Sequence, residues 1–107
     1  IAGFEGQPGQ VAYGAAKGGI ISMALNLARD LAPMGIRSMA IAPGTFYTFA
    51  YEAMGEEKAR STFGPLVLNP KRMGEPNEYA MLAQQVIEND FLNGTTIRLD
   101  AGQRFQP

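Results

Sequence analysis

Residues 10–31 read QVAYGAAKGGIISMALNLARDL, and residues 36–42, which read IRSMAIA, follow after a short break. In the first stretch apolar residues recur at three- and four-residue steps, which predicts an amphipathic helix over 10–31. The second stretch is short and mostly apolar, as buried strands are, and Pro43-Gly44 ends it. A long helix followed by a buried strand is typical of an α/β fold.

The second half of the chain repeats this order. Pro76 and apolar residues at helical steps predict a helix over 76–88. Asn93-Gly94 predicts a turn before a second strand over 95–100, and a mobile tail is expected after it. A strand, a helix and a strand in succession imply parallel pairing. Since two strands alone do not make a buried parallel sheet, further strands are expected from polypeptide outside these residues.

Composition argues against several classes of function. Nine Lys and Arg stand against ten Asp and Glu with no cluster of either sign, so no nucleic-acid or anionic-membrane surface is expected. No apolar run reaches the roughly 20 residues that span a bilayer. The chain has no Cys and no His, which removes disulfides, metal sites built on those residues and His acid–base chemistry. Proton transfer therefore falls to Tyr, Lys or a carboxylate, and no metal is expected.

Tyr13 and Lys17 are four residues apart near the start of the predicted helix, so they share a face. A Lys ammonium beside a phenol favours the phenolate, and such a phenol can give a proton to a ketone or take one from an alcohol. The plainer interpretation is two surface side chains, because Tyr-x-x-x-Lys is a common pattern. Small residues around the pair, among them Gly14, Gly18 and Gly19, predict that a ligand or another backbone packs closely there.

The wider pattern resembles the short-chain dehydrogenase/reductase family over essentially the whole chain. The motifs that carry the resemblance are Tyr13-Gly-Ala-Ala-Lys17-Gly-Gly, Leu27-Ala-Arg-Asp-Leu-Ala, Gly35-Ile-Arg37, Ala42-Pro43-Gly44, Arg72-Met-Gly-Glu-Pro-x-Glu78 and Asn93-Gly-x-x-Ile-x-Leu-Asp100. Three further stretches are similar to its 3-hydroxyacyl-CoA dehydrogenase type II branch, also called 17β-hydroxysteroid dehydrogenase type ten: Phe4-Glu-Gly-Gln7, Ala28-Arg-Asp-Leu-Ala-Pro33 and Arg104-Phe-Gln-Pro107. The resemblance implies that 1–107 is the C-terminal half of one Rossmann-type domain with a doubly wound parallel sheet.

The same resemblance implies an oxidoreductase that uses NAD or NADP to interconvert a secondary alcohol and a ketone. A 3-hydroxyacyl-CoA or another hydrophobic hydroxy compound would be its substrate. Tyr13 would be the catalytic acid/base, and Lys17 would hold the nicotinamide ribose and favour the phenolate. Further cofactor contacts would come from Pro43, Gly44, Phe46 and Thr48, although Pro43-Gly44 also has the plainer role of ending a strand.

The aromatic-rich segment 45–73 is predicted to be the substrate lid, with one or two short helices over about 50–62. Its apolar side chains suit an acyl chain, a steroid or another hydrophobic ketone. The alternative is that they cap the core or a subunit interface. Candidate substrate contacts are Gln7, Tyr47 and Phe49.

By resemblance, the family's catalytic Ser falls one residue before Ile1, and its phosphate-binding loop lies further upstream. The isolated 107 residues are therefore expected to be inactive, and an incomplete chain that serves only as an assembly or interaction module is the alternative function. The resemblance also implies a homotetramer, with helix 10–31 paired with its copy at one interface. Helix 76–88 and strand 95–100 would form another. The expected location is the cytoplasm, or the mitochondrial matrix in a eukaryote.

Overall fold

The computed structural model describes residues 1–106 as helices alternating with two strands. The elements are helix α1 (Val11–Leu31), strand β1 (Ala40–Pro43), helix α2 (Glu56–Phe63), helix α3 (Pro76–Glu88) and strand β2 (Thr96–Leu99). Short 3-10 turns lie at Ala32–Met34, Phe49–Met54 and Gly64–Leu66. The two strands pair in parallel, with Ala40 opposite Thr96 and Pro43 opposite Leu99. The parallel pairing predicted from the order of elements is confirmed.

Strand β1 is shorter at its start than the predicted strand 36–42, and it ends one residue later. The reason is that residues before it bond to the turn that precedes β2. Ser38 N–H donates to Asn93 Oδ1 at 2.9 Å, and the Ser38 carbonyl accepts from Gly94 N–H at 2.7 Å. These bonds occupy groups that a longer strand ladder would have used. Strand β2 likewise lacks one residue at each end of the predicted 95–100.

Arg37 ties the end of α3 to the chain before β1. Its guanidinium donates to the carbonyls of Val86 at 2.8 Å, Ile87 at 3.0 Å and Leu92 at 2.8 Å. The last carbonyls of a helix have no partner within the helix, and a positive charge there also complements the helix dipole. Arg37 therefore fixes where α3 ends relative to the sheet.

The glycines of α1 make room for the loop that precedes it. A Cβ placed on Gly14 or on Gly18 would stand 3.6 Å from a backbone carbonyl of the loop 1–7. From the other side, a Cβ on Gly3 would meet the backbone of Lys17 at 2.8 Å. The close neighbour predicted from these small residues is thus another stretch of backbone.

The apolar side chains buried in the described residues are mostly small: Ala24, Ala28, Ala40, Ala42, Ala59, Val67 and Met73. The accessible surface is 7196 Å² for 11.5 kDa, against about 5,800 Å² for a compact domain of that mass. The radius of gyration is 15.4 Å, against about 13 Å. Large apolar side chains such as Ile20, Met23 and Phe91 are exposed. These faces need further polypeptide to cover them.

Within residues 1–106, no helix is both long and apolar enough to cross a membrane.

Candidate active site

A cavity of about 740 Å³ opens at the carboxyl end of β1, and Pro43, the last residue of that strand, lies in its wall. In open α/β sheets, ligands bind outside the carboxyl ends of the strands. Among residues 1–106, no charged side chain lines this cavity. Aromatic rings form much of the wall, namely those of Tyr13, Phe46, Tyr51, Phe63, Tyr79 and Phe105. Such a lining suits a ligand group that is uncharged and largely apolar.

Tyr13 and Lys17 lie on adjacent turns at the start of α1, as their spacing predicts. The Lys17 Nζ is 5.3 Å from the centre of the Tyr13 ring, which is within range of a cation–π contact. Tyr13 is 52% exposed and lines the cavity. Lys17 lines a neighbouring cavity of about 350 Å³ that shares Tyr13 and Pro43 with the first. The phenol is therefore accessible from the space that a ligand would occupy.

The structure brings six of the predicted site residues to the wall of the larger cavity: Gln7, Tyr13, Pro43, Gly44, Phe46 and Thr48. Tyr47 and Phe49, predicted as substrate contacts, lie outside that wall. Phe49 is 83% exposed, and Tyr47 lies beneath the Arg60 guanidinium, 4.7 Å from the centre of its ring.

The stretch after β1 is held in place by backbone bonds to Gly74. Tyr47 N–H donates to the Gly74 carbonyl, and Gly74 N–H donates to the Thr45 carbonyl, both at 2.9 Å. A Cβ on Gly74 would lie 2.6 Å from the Phe46 ring, so only glycine lets this ring sit where it does. Phe46 also packs edge-on against Tyr79, at 6.1 Å between ring centres. These contacts hold the Phe46 ring in the cavity wall.

Gln103 is a wall residue that the sequence analysis missed. Its side chain is buried, and its Oε1 accepts from Thr45 N–H at 2.9 Å and from Thr45 Oγ1 at 3.0 Å. A Cβ on Gly44 would stand 2.8 Å from the same oxygen. No local pattern marks a buried Gln beyond the last strand, because its partners are far away in the sequence.

Within the predicted mobile tail, residues up to Phe105 make contacts through charged side chains, and Pro107 lies outside the described residues. Asp100 pairs with Arg98 at 2.7 Å and with Arg104 at 3.3 Å, and both guanidiniums lie 3.4 Å from Glu5. Glu5 also accepts a hydrogen bond from Phe105 N–H at 3.2 Å. Because Glu5 belongs to the loop before α1, these contacts fasten the tail beside that loop and place the Phe105 ring in the cavity wall.

The predicted lid is joined to the start of α3 through Arg60. This guanidinium donates to both carboxylate oxygens of Glu75, at 2.6 and 3.2 Å, and to Glu56 at 2.9 Å. The hydrogen bonds from Arg60 hold the pKa of Glu75 below its usual value. Within the lid, the Tyr51 and Phe63 rings pack 5.2 Å apart, and both face the cavity. Helix α2 therefore carries part of the cavity wall and is anchored to the helix beyond it.

Comparison with known proteins gives the family. The short-chain dehydrogenase/reductase model described as enoyl-(acyl carrier protein) reductase matches residues 1–104. The chain belongs to the short-chain dehydrogenase/reductase family. It is 55% identical to the 3-hydroxyacyl-CoA dehydrogenase type-2 of Bos taurus and 54% identical to that of Homo sapiens. Each match covers 100% of this chain and 41% of the relative.

A solved structure gives the same result for the fold. The crystal structure of a 3-hydroxyacyl-CoA dehydrogenase type-2 from Mycobacterium avium matches with a TM-score of 0.90 at 47% identity. The match covers 100% of this chain and 41% of that one. The α/β fold class predicted from the sequence, part of a Rossmann-type parallel sheet, is confirmed. The chain spans less than half the length of these relatives.

Membership of the short-chain dehydrogenase/reductase family implies a nicotinamide cofactor, and the cavity wall fits the nicotinamide end of one. The wall is uncharged, lies at the carboxyl end of β1, and combines flat rings with the backbone of Pro43 and Gly44. Hydroxyl groups of Tyr13 and Thr48 border the same space. These groups offer hydrogen bonds to a carboxamide and to a reacting oxygen, and the Lys17 ammonium lies beside Tyr13.

Proposed function

We propose that the complete protein is an NAD- or NADP-dependent dehydrogenase that interconverts a hydrophobic secondary alcohol and its ketone, with a 3-hydroxyacyl thioester as the substrate class. The observation that carries the proposal is that Tyr13 lines a cavity with no charged side chain in its wall, with its ring centre 5.3 Å from the Lys17 ammonium. The names of the relatives, 3-hydroxyacyl-CoA dehydrogenase type-2, support the substrate class. An interaction module without activity is not favoured, because the relatives that match the whole of this chain are named as dehydrogenases.

In this proposal Tyr13 moves the proton. The neutral phenol donates a proton to the ketone oxygen in reduction, and the phenolate accepts one from the alcohol in oxidation. The nicotinamide, when bound, supplies or accepts the hydride. The ammonium of Lys17 is the group that would bond the ribose hydroxyls.

The residues after β1 would hold the nicotinamide. Pro43, Gly44 and Phe46 would lie along the ring, and Thr48 would bond the carboxamide or a phosphate. The contacts of Phe46 with Gly74 and Tyr79 support this role, because a wall that is already ordered loses little conformational entropy when a ligand binds.

The acyl part of the substrate would lie against the lid and the tail. Tyr51 and Phe63 contribute rings from the lid, Leu66 adds an aliphatic side chain, and Phe105 closes the wall from the tail. Gln7 borders the same cavity from the loop before α1. Tyr47 and Phe49 would contact substrate only if the lid changed position, so their predicted role now depends on such a movement.

A homotetramer is part of the proposal. Helix α1 presents Ile20, Met23 and Leu27 as exposed apolar side chains, which supports pairing of α1 with a second copy. After α3, the side chain of Phe91 is 99% exposed, and this supports a second interface there.

The direct test is turnover by the complete protein. A 3-hydroxyacyl-CoA, a hydroxysteroid and a primary alcohol of matched chain length would each be offered with NAD⁺ and with NADP⁺. Formation of the reduced cofactor would be followed by its absorbance. We expect oxidation of a hydrophobic secondary alcohol and little oxidation of the primary alcohol. Absence of turnover for every substrate, in both directions, would reject the proposed function.

A further inference from the structure

Among residues 1–106, Gln103 is the only polar residue that is buried. The proposed proton transfer by Tyr13 gives it no role. Its exposure is 2%, and it lies in the wall of the same cavity as Tyr13 and Thr45. Burying an amide is costly unless its groups find hydrogen-bond partners. The hydrogen-bond partners of its amide oxygen, and the lack of one for its amide nitrogen, therefore indicate its role.

Thr45 determines which way the Gln103 amide faces. A backbone N–H can only donate, so the Gln103 atom 2.9 Å from Thr45 N–H is the oxygen and not the nitrogen. The Thr45 hydroxyl adds a second bond to the same oxygen at 3.0 Å. With Oε1 fixed in this way, the NH₂ group is left on the other side of the amide.

That NH₂ group has no hydrogen-bond acceptor among residues 1–106, whereas the exposed Gln84 donates its own to Glu88. In the same part of the chain, no fully enclosed side-chain nitrogen or oxygen lacks a partner. The Gln103 nitrogen must therefore open onto accessible space. The cavity is the space that Gln103 borders, so its donor is available to a ligand there.

The backbone of Gln103 is held as firmly as its side-chain oxygen. Gln103 N–H donates to the Asp100 carbonyl at 2.9 Å. The Gln103 carbonyl accepts from Arg104 at 2.7 Å and from Arg98 at 3.2 Å. Both guanidiniums are in turn paired with Glu5 and Asp100. A donor supported in this way needs little reorganisation when a ligand arrives.

We propose that the Gln103 Nε2 group donates a hydrogen bond to a neutral carbonyl oxygen of the ligand and so helps to determine specificity. The proposal rests on the proposed function. An NH₂ group requires an acceptor, and the uncharged wall disfavours a carboxylate or phosphate. Two sources present such an oxygen: the thioester carbonyl of the substrate and the carboxamide of the nicotinamide.

The test compares two variants in the complete protein. Gln103→Glu keeps an oxygen that accepts from the N–H and the hydroxyl of Thr45 but removes the NH₂ donor. Gln103→Leu removes the accepting oxygen as well as the NH₂ donor. Gln85→Glu, the same exchange at an exposed position of α3, is the matched control. Steady-state kinetics would use a 3-oxoacyl thioester and a simple ketone of equal length, and calorimetry would give the Kd of NADH and NADPH.

Loss of one hydrogen bond to a neutral group weakens binding by about three- to tenfold. If the oxygen belongs to the substrate, KM rises by that factor for the thioester and stays constant for the simple ketone. If it belongs to the nicotinamide, the Kd of the cofactor rises instead, and both substrates are affected alike. Folded Gln103 variants that leave every KM and Kd within about twofold of the unmodified protein would overturn the proposal.

Failure of the proposed function is distinguishable from failure of this inference. If the unmodified protein binds NADH but turns over neither substrate, the proposed function fails. The role of Gln103 toward the cofactor is still tested in that case. A raised Kd of NADH in the Gln103 variants supports this role, and an unchanged Kd rejects it. If the variants do not fold, a ternary-complex structure of the unmodified protein decides. In that structure, a ligand oxygen within about 3.5 Å of Nε2 supports the proposal, and its absence overturns it.

Discussion

Lys17 lies beside Tyr13 on the next turn of α1. The ammonium stands 5.3 Å from the centre of the phenol ring, and both residues border the cavity system at the end of β1. In the proposed function the same ammonium bonds the ribose of the cofactor.

Replacing Lys17 with Met in the complete enzyme should weaken cofactor binding. Cofactor affinity should fall by about tenfold to a hundredfold, as expected for the loss of a charged hydrogen-bond donor. Calorimetry with NADH measures this effect, with Lys58→Met, an exposed position of α2, as control. A Kd within about twofold of that of the unmodified protein would argue against a role of Lys17 in cofactor binding.

Site residues with local contacts are predicted from the sequence more readily than site residues with contacts far along the chain. Tyr13 and Lys17 interact through helical spacing, which is local and visible in five residues. Gln103 contacts Thr45, fifty-eight positions away, and the tail depends on Glu5, at the other end of the chain. Contacts of that range leave no periodic signal, so the sequence does not predict them.

Helix α3 begins with a capping box that is reinforced from outside. Glu78 N–H donates to the Glu75 carbonyl at 2.9 Å, and the Glu78 carboxylate accepts from Glu75 N–H at 2.8 Å. Arg72 adds two hydrogen bonds to Glu78, at 2.8 and 2.9 Å. The bonds from Arg72, and then the one from Glu75 N–H, lower the pKa of Glu78 to about 2. The lid and the start of α3 thus share these contacts.

These contacts predict an acid-sensitive element. Because the pKa of Glu78 is lower in the folded state, its contribution to stability is fully present above about pH 4.5 and is lost as the pH falls toward about 2. Glu78→Gln should therefore weaken the dependence of the urea midpoint on pH between about pH 6 and pH 3. Glu57→Gln, an exposed carboxylate on α2, should leave that dependence intact. Equal acid sensitivity of Glu78→Gln and the unmodified protein would contradict this role.

Among the elements, the helices are predicted more accurately than the strands. The predicted helices 10–31 and 76–88 correspond to Val11–Leu31 and Pro76–Glu88, since apolar spacing and a Pro in the first turn are local signals. The predicted strand 36–42 extends too far toward its start, because bonds between Ser38 and the turn at Asn93 and Gly94 depend on tertiary contact. Strand length is set by the partners a strand finds, which the sequence does not show directly.

At the scale of the whole molecule, the described residues are less compact than an independent domain of the same mass. The surface of 7196 Å² and the small buried side chains leave the faces of α1 and the sheet uncovered. The cavity wall depends on the relative positions of the loop before α1, the end of β1, residues 45–73 and the tail. We expect these positions to be fixed only when further polypeptide covers the apolar faces.

The isolated 107-residue chain is therefore expected to bind NADH too weakly to detect. Its wall offers groups for the nicotinamide end alone, and the uncovered faces favour self-association over a fixed site. Titration calorimetry of the isolated chain, beside the complete protein as positive control, measures this. A saturable heat signal from the isolated chain would show that these residues form a binding site unaided.

Tyr13 is proposed to transfer the proton in a dehydrogenase reaction. The most direct measurement compares kcat for Tyr13→Phe and for the unmodified complete protein, with the Kd of NADH determined on the same preparations. Removing the hydroxyl while keeping the ring should lower kcat by about a hundredfold or more and leave the Kd nearly unchanged. Substantial turnover by a folded Tyr13→Phe variant with unaltered cofactor affinity would contradict the account.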